Sequence, residues 1–169
     1  MANPKHLEIL LTGKDYWNLT RIQSPDMKPD LSGANFSRAD LSRVKLFAAN
    51  LSRIDFVRAD LRGANLSWAD LSESNLSEAN LSRADLIGAN LYRADLRGAN
   101  LFQANLFEAN LSKADLSGAN ISRADFRGAD LRGTKFTRGD LLKADVTDAK
   151  FGKPEKLKWE PAQKAEAEE

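Results

Sequence analysis

The side chains able to do chemistry are few. His6 is the single histidine and there is no cysteine, so neither a thiol nucleophile nor a metal centre built on Cys or several His is expected. Serine is plentiful but repetitive, with no base recurring beside it. Five carboxylates keep separations of twenty or forty residues, Asp85, Asp125 and Asp145 in one register and Glu108 and Asp148 in another. Such spacing would align them on a chain that retraces its course every twenty residues, giving an acidic face. A second set is apolar: Phe47, Ile87 and Phe107 share a register, with Trp68, Tyr92 and Phe102 close to it. Exposed aromatic groups of this kind mark protein contacts, with Trp and Tyr as anchors. Neither GxGxxG nor GxxxxGK[ST] occurs, and no catalytic, cofactor-binding or metal site is expected.

What would position these residues is a period of five. From Leu31 to Phe151 every fifth residue is apolar, 25 positions holding 18 Leu, 5 Phe, Ile121 and Val146. Two residues before them, from Ala34 to Ala149, Ala fills 19 of 24 positions, the departures being Val44, Ile54, Ser74, Thr134 and Gly139. Immediately before the apolar residue stand 12 Asp, 10 Asn and 3 Lys. On an α-helix, residues five apart are rotated by about 140°, so this pattern would spiral around every side. A chain that turns a corner after each pentapeptide instead sends the Leu and the small residue inward, and four segments close a square coil of twenty. Stacked coils pair backbone groups at about 4.8 Å. Asp or Asn suits the edge of each turn, where its short acceptor reaches nearby N–H groups.

These units, such as ADLRGAN at 59–65 and ADLSGAN at 114–120, resemble the pentapeptide-repeat family over residues 29–153. The resemblance implies an all-β solenoid, a right-handed quadrilateral parallel β-helix; 25 units make about six coils. Residues 1–28 read as an N-terminal helical cap and lead-in: Asn3-Pro4 starts a helix, Leu7, Leu10 and Leu11 share its face, Gly13 breaks it, and Tyr16, Trp17, Leu19 and Ile22 continue it as a second short turn. Similar leaders resemble those of bacterial and cyanobacterial family members. Residues 154–169 read as a C-terminal cap, through Leu157 and Trp159, and a disordered tail.

Charge narrows the function. The 169 residues carry 25 Lys+Arg and 24 Asp+Glu, and mean hydropathy is −0.48. No apolar run approaches a membrane span and the start lacks a secretory pattern, so a cytoplasmic protein is expected. Certain quinolone-resistance members of the family mimic duplex DNA and occupy DNA gyrase. Duplex DNA presents a negative charge per roughly 1.7 Å. Here residues 31–151 hold 17 basic against 15 acidic side chains, and only the face through Leu46 is acidic, at −3. Along the face through Leu41, Arg43, Arg83, Arg123 and Lys143 are interleaved with Asp40, Asp60 and Asp140, which argues against direct nucleic-acid binding. The expectation is a non-enzymatic protein–protein interaction scaffold, a monomer or weak homodimer. Its contact patch would be Phe47, Trp68, Ile87, Tyr92, Phe102 and Phe107, and its partner an unidentified protein. Gyrase mimicry through Asp85, Glu108, Asp125, Asp145 and Asp148 is the alternative.

Overall fold

The computed structural model describes residues 1–136 and 141–152. Within them the five-residue period becomes a solenoid. Asp30 bridges in parallel to Asn50, Asn35 to Asp55, Asp40 to Asp60 and Lys45 to Asn65, and each of the four series continues upward in steps of twenty. Four pentapeptides therefore make one coil. Its faces are named below by their first central residues, Leu31, Phe36, Leu41 and Leu46.

Each corner is a hydrogen-bonded turn. The Ala34 N–H donates to the Leu31 carbonyl at 3.1 Å, and the same bond recurs from Ala39 to Phe36 and from Ala89 to Leu86. The third residue of the turn has positive φ, which makes it a type II turn, where glycine is the usual choice. Yet fifteen non-glycine residues, among them Arg43, Trp68 and Glu108, hold φ between 54° and 62°. Except at Asp148, their N–H groups anchor this costly conformation by donating to the next coil, as Arg38 does to the Val57 carbonyl at 2.8 Å. The Asp or Asn before each central residue accepts the N–H two residues on: Ser37 donates to Asn35 at 2.9 Å and Thr147 to Asp145 at 3.0 Å. One side-chain oxygen suffices for that bond, which is why Asp and Asn alternate freely.

The interior is a stack of central residues and small residues, with Leu46 to Leu111 and Ala59 to Ala114 almost wholly buried. Ser74 stands in one small position and satisfies its hydroxyl internally, donating to the Leu71 carbonyl at 2.6 Å. Ala89 has no exposed surface. Ala89→Leu should therefore force neighbouring central residues off their rotamers and cost about 1–3 kcal/mol, checked by the denaturation midpoint.

The first coil has no coil beneath it, so its lower backbone groups need other partners. Helix α1 (Pro4–Thr12) starts at Asn3, whose side chain accepts from the Lys5 and His6 N–H groups, and ends at Gly13. Helix α2 (Lys14–Gln23) follows at once, ten residues where a short turn was expected. The two helices supply what the edge lacks. His6 Nδ1 accepts the Asp30 N–H at 3.0 Å, Trp17 Nε1 donates to the Lys45 carbonyl at 2.8 Å, and Asn18 Oδ1 accepts the Lys45 N–H at 2.7 Å. Arg21 donates to the Phe47 carbonyl at 2.9 Å and also to the carbonyl of Met27. Arg21 is buried without a carboxylate among the described residues, and burial lowers its pKa. Trp17 and Arg21, four apart on α2, face inward, while Tyr16, Leu19 and Ile22 are exposed. On α1, Leu10 is buried and Leu7 and Ile9 pack beside it, but Leu11 turns outward, contrary to the expected Leu7/Leu10/Leu11 face. The cover expected from Leu157 and Trp159 and the tail at 154–169 lie outside the described residues.

Candidate functional site

The turn geometry decides where outward side chains go. A side chain at the positive-φ corner leans towards the same corner of the next coil. Arg53 Nε reaches Glu73 at 3.0 Å, Arg58 Nε reaches Glu78 at 2.7 Å and Arg83 Nε reaches Gln103 at 3.1 Å. Where that next corner is Gly63, Gly98, Gly128 or Gly133, the side chain from the coil below lies against the space a Cβ would fill. Trp68 is the extreme case. Its indole lies over Gly88 so closely that a Cβ there would stand 2.4 Å from the ring, yet Trp68 is 64% exposed. Gly88→Ala should push the indole into solvent and, at φ +61°, cost at least about 1 kcal/mol. Acrylamide quenching of Trp68 in a Trp159→Phe background, alongside the melting temperature, checks this.

The six expected contact residues fall into different settings. Ile87 and Phe107, half-buried and one coil apart, share the Leu46 face with Trp68. Arg127 stands over the Phe107 ring at 5.7 Å. Phe47 lies on the same face but is a contact of α2, with the Arg21 guanidinium 4.0 Å from its ring. Tyr92, on the Leu31 face, has Arg93 and Lys113 over its ring at 5.2 and 5.5 Å. Phe102, on the Leu41 face, has Arg123 over its ring at 5.9 Å. Among the described residues no ring–ring pair joins any of the six.

The acidic set is largely occupied by its own turns and by one arginine. Arg127 binds both oxygens of Asp125, at 2.9 and 2.6 Å, and lies 3.8 Å from Asp145. Asp85 accepts the Ile87 N–H at 3.2 Å, and Asp145 accepts from Thr147. Glu108 leans over Gly128, and Asp148 is exposed. Sequence reasoning missed a signal in this arrangement. In Asp60-Leu61-Arg62, Asp95-Leu96-Arg97, Asp125-Phe126-Arg127 and Asp130-Leu131-Arg132, the arginine straps the aspartate two residues before it at 2.5–2.6 Å.

Those hydrogen bonds hold the carboxyl groups of Asp60, Asp95, Asp125 and Asp130 below their usual range, against a smaller opposing effect of desolvation. A carboxylate that protonates at lower pH when folded than when unfolded contributes stability above the unfolded value, about 3.9 for Asp. The contribution is lost as pH falls through the folded value. The melting temperature should therefore decline as pH falls below about 4, checked by thermal scans at successively lower pH.

Among the described residues, no group of three His, Cys, Asp or Glu is placed to hold a metal ion, and no helix is long and apolar enough to cross a membrane. An open groove of about 630 Å³ lies between α2 and the Leu41 face.

The family of Pentapeptide repeats (8 copies) matches residues 30–63, 64–103, 99–138 and 117–152. The chain belongs to the pentapeptide-repeat family. As a pentapeptide-repeat protein it is similar to HetL from Nostoc sp. strain PCC 7120, involved in heterocyst differentiation regulation, at 31% identity and TM-score 0.39 over 72% of this chain and 73% of HetL. It is also similar to Rfr23 from Cyanothece 51142, at 30% identity and TM-score 0.42 over 80% of this chain and 94% of Rfr23. A third similar structure is alr5209 from Nostoc PCC 7120, at 32% identity and TM-score 0.31 over 79% of this chain and 92% of alr5209. No curated protein matches the chain.

Proposed function

We propose that this pentapeptide-repeat protein is a non-enzymatic, cytoplasmic interaction rod, a right-handed quadrilateral solenoid of about six coils whose N-terminal end is capped by α1 and α2. Its contact surface is the Leu46 face. The observation that carries this reading is Trp68, 64% exposed with its indole against Gly88, and Ile87 and Phe107 on the same face. A large indole packed against the backbone has less freedom to lose when a partner covers it, and Trp is enriched among interface anchors. The narrower patch of Trp68, Ile87 and Phe107 takes precedence over the six-residue one, because Phe47 serves α2 and Tyr92 and Phe102 lie on other faces.

The test is capture of partner proteins from a lysate of the source cell with wild type and with Trp68→Ser/Phe107→Ser. Both positions are outside the Leu and Ala stack, so the double variant should fold, as circular dichroism would verify. Loss of a retained protein supports the reading, and an unchanged set of retained proteins overturns it. Gyrase mimicry has less support, since Arg127 neutralises the centre of the acidic face. Inhibition of gyrase supercoiling that vanishes on neutralising Glu108 and Asp148 would reverse that order.

A further inference from the structure

The corner residues of the Leu41 face differ from those of the other three. Up the coils they read Arg43, Gly63, Arg83, Gln103, Arg123 and Lys143, with no carboxylate, whereas the other corner columns contain Glu73, Glu78, or Glu108 with Asp148. On the Leu31 and Phe36 faces Arg53 finds Glu73 and Arg58 finds Glu78 one coil up, and Arg93 lies 3.9 Å from Glu73 one coil down, whereas Arg38 has Arg58 above it. Arg43 leans over Gly63 and meets none, and Arg83 meets only the neutral Gln103. Neither has an ion-pair partner among the described residues.

Of the aspartates that interrupt this column in the sequence, Asp40 and Asp60 are taken by other cations, and Asp140 lies outside the described residues. Lys14 takes Asp40 at 2.6 Å and Arg62 takes Asp60 at 2.5 Å. In the next three coils the equivalent turn positions are Asn80, Asn100 and Asn120, which make the same backbone bond without charge. From residue 79 to 83, 99 to 103 and 119 to 123 the face contains no acidic residue at all. Arg43, Arg62, Arg83 and Phe102 line the open groove of about 630 Å³, closed at its lower end by Lys14, Asp15 and Asn18.

We propose that the Leu41 face is a second binding surface, distinct from the Trp68 face, and that it takes an acidic segment of a partner protein along the Arg43, Arg83 and Arg123 column. These arginines recur every second coil, about 9.6 Å apart at 4.8 Å per coil. A polyproline II segment with an acid at every third residue repeats on one side every 9.3 Å, close to that interval. A nucleic-acid strand fits less well. Sequence-tolerant binding of single strands needs successive stacking platforms, and Phe102 is the single aromatic side chain in this column's coils between residues 79 and 123 on the face. The surface is independent of Trp68, so loss of partner capture there leaves this assignment standing.

The experiment is fluorescence anisotropy of a labelled (Glu-Pro-Pro)5 peptide on the full chain, with (Gln-Pro-Pro)5 and a labelled oligothymidylate as comparators. The glutamate peptide should bind, bind more weakly as salt rises, and exceed both comparators. Arg43→Gln/Arg83→Gln should lower its affinity about fivefold or more, at the modest strength of exposed charge pairs. Gln103 already occupies this column at φ 57°, so glutamine is accepted there and folding is retained. Arg53→Gln, on another face, should leave affinity unchanged. Equal binding by the double variant, equal binding of the glutamine peptide, or tighter binding of the oligonucleotide overturns the proposal.

Discussion

Leu86→Asp is expected to abolish the cooperative unfolding transition of the rod. Leu86 has no exposed surface, and it is central both in position and in packing, stacked between the coils below and above. An aspartate there meets only Leu, Ala and backbone groups already committed to the ladder, so its carboxylate has no partner and no water. The loss should be at least about 4 kcal/mol, the range in which buried unpaired charge belongs. In a solenoid each coil touches only its neighbours, so the damage divides the stack into two shorter ones instead of spreading evenly. Circular dichroism and a thermal melt read this directly. A wild-type melt would contradict an inward central residue.

The second large effect is expected from Trp17→Ala. Trp17 has no exposed surface and its indole N–H holds the Lys45 carbonyl, so truncation removes both a large buried volume and a partner for the coil's open edge. Loss of a buried aromatic to alanine costs about 3–5 kcal/mol. Hydrogen exchange should show its reach. Amides of the first coil that donate to the second, such as Leu46 to Asn65, should exchange far faster, while Leu86 to Asn105 keeps its protection. Uniform acceleration throughout would show that α1 and α2 hold the whole rod rather than its end.

The sequence made the ladder legible because three of every five positions are tightly restricted, and each restriction has one cause: the central residue by burial, the small residue by space, the Asp or Asn by its bond to the N–H two residues on. That is why the coil of twenty and the edge role of Asp and Asn could be inferred before any coordinates. The outward residues obey no such restriction. The coherence of the aromatic set depended on what stands around each side chain and, for Trp68, on the lean that positive φ imposes at its corner, not on residue type. Phe47 looks equivalent to Phe107 in register, yet α2 covers the first and only Arg127 approaches the second. The Asp-Leu-Arg straps were visible in principle, but recognising them required knowing that both side chains point outward at one corner. Likewise, Lys45 departs from the Asp/Asn rule in the first coil, where Asn18 accepts the Lys45 N–H that in later coils is taken by the coil below.

The register of twenty also governs which changes in length the protein can absorb. Removing one whole coil shortens the rod and leaves every later side chain on the face it had. Removing a single pentapeptide keeps the interior intact, since all four sides use the same inward pair, but turns everything downstream by a quarter revolution. A five-residue deletion near residue 75 would thus move Ile87 and Phe107 onto a different side from Trp68, and Arg83 away from Arg43, while the chain still folded. Insertions and deletions here act as a rotary dial on surface identity, stepping in fives and returning to the start at twenty.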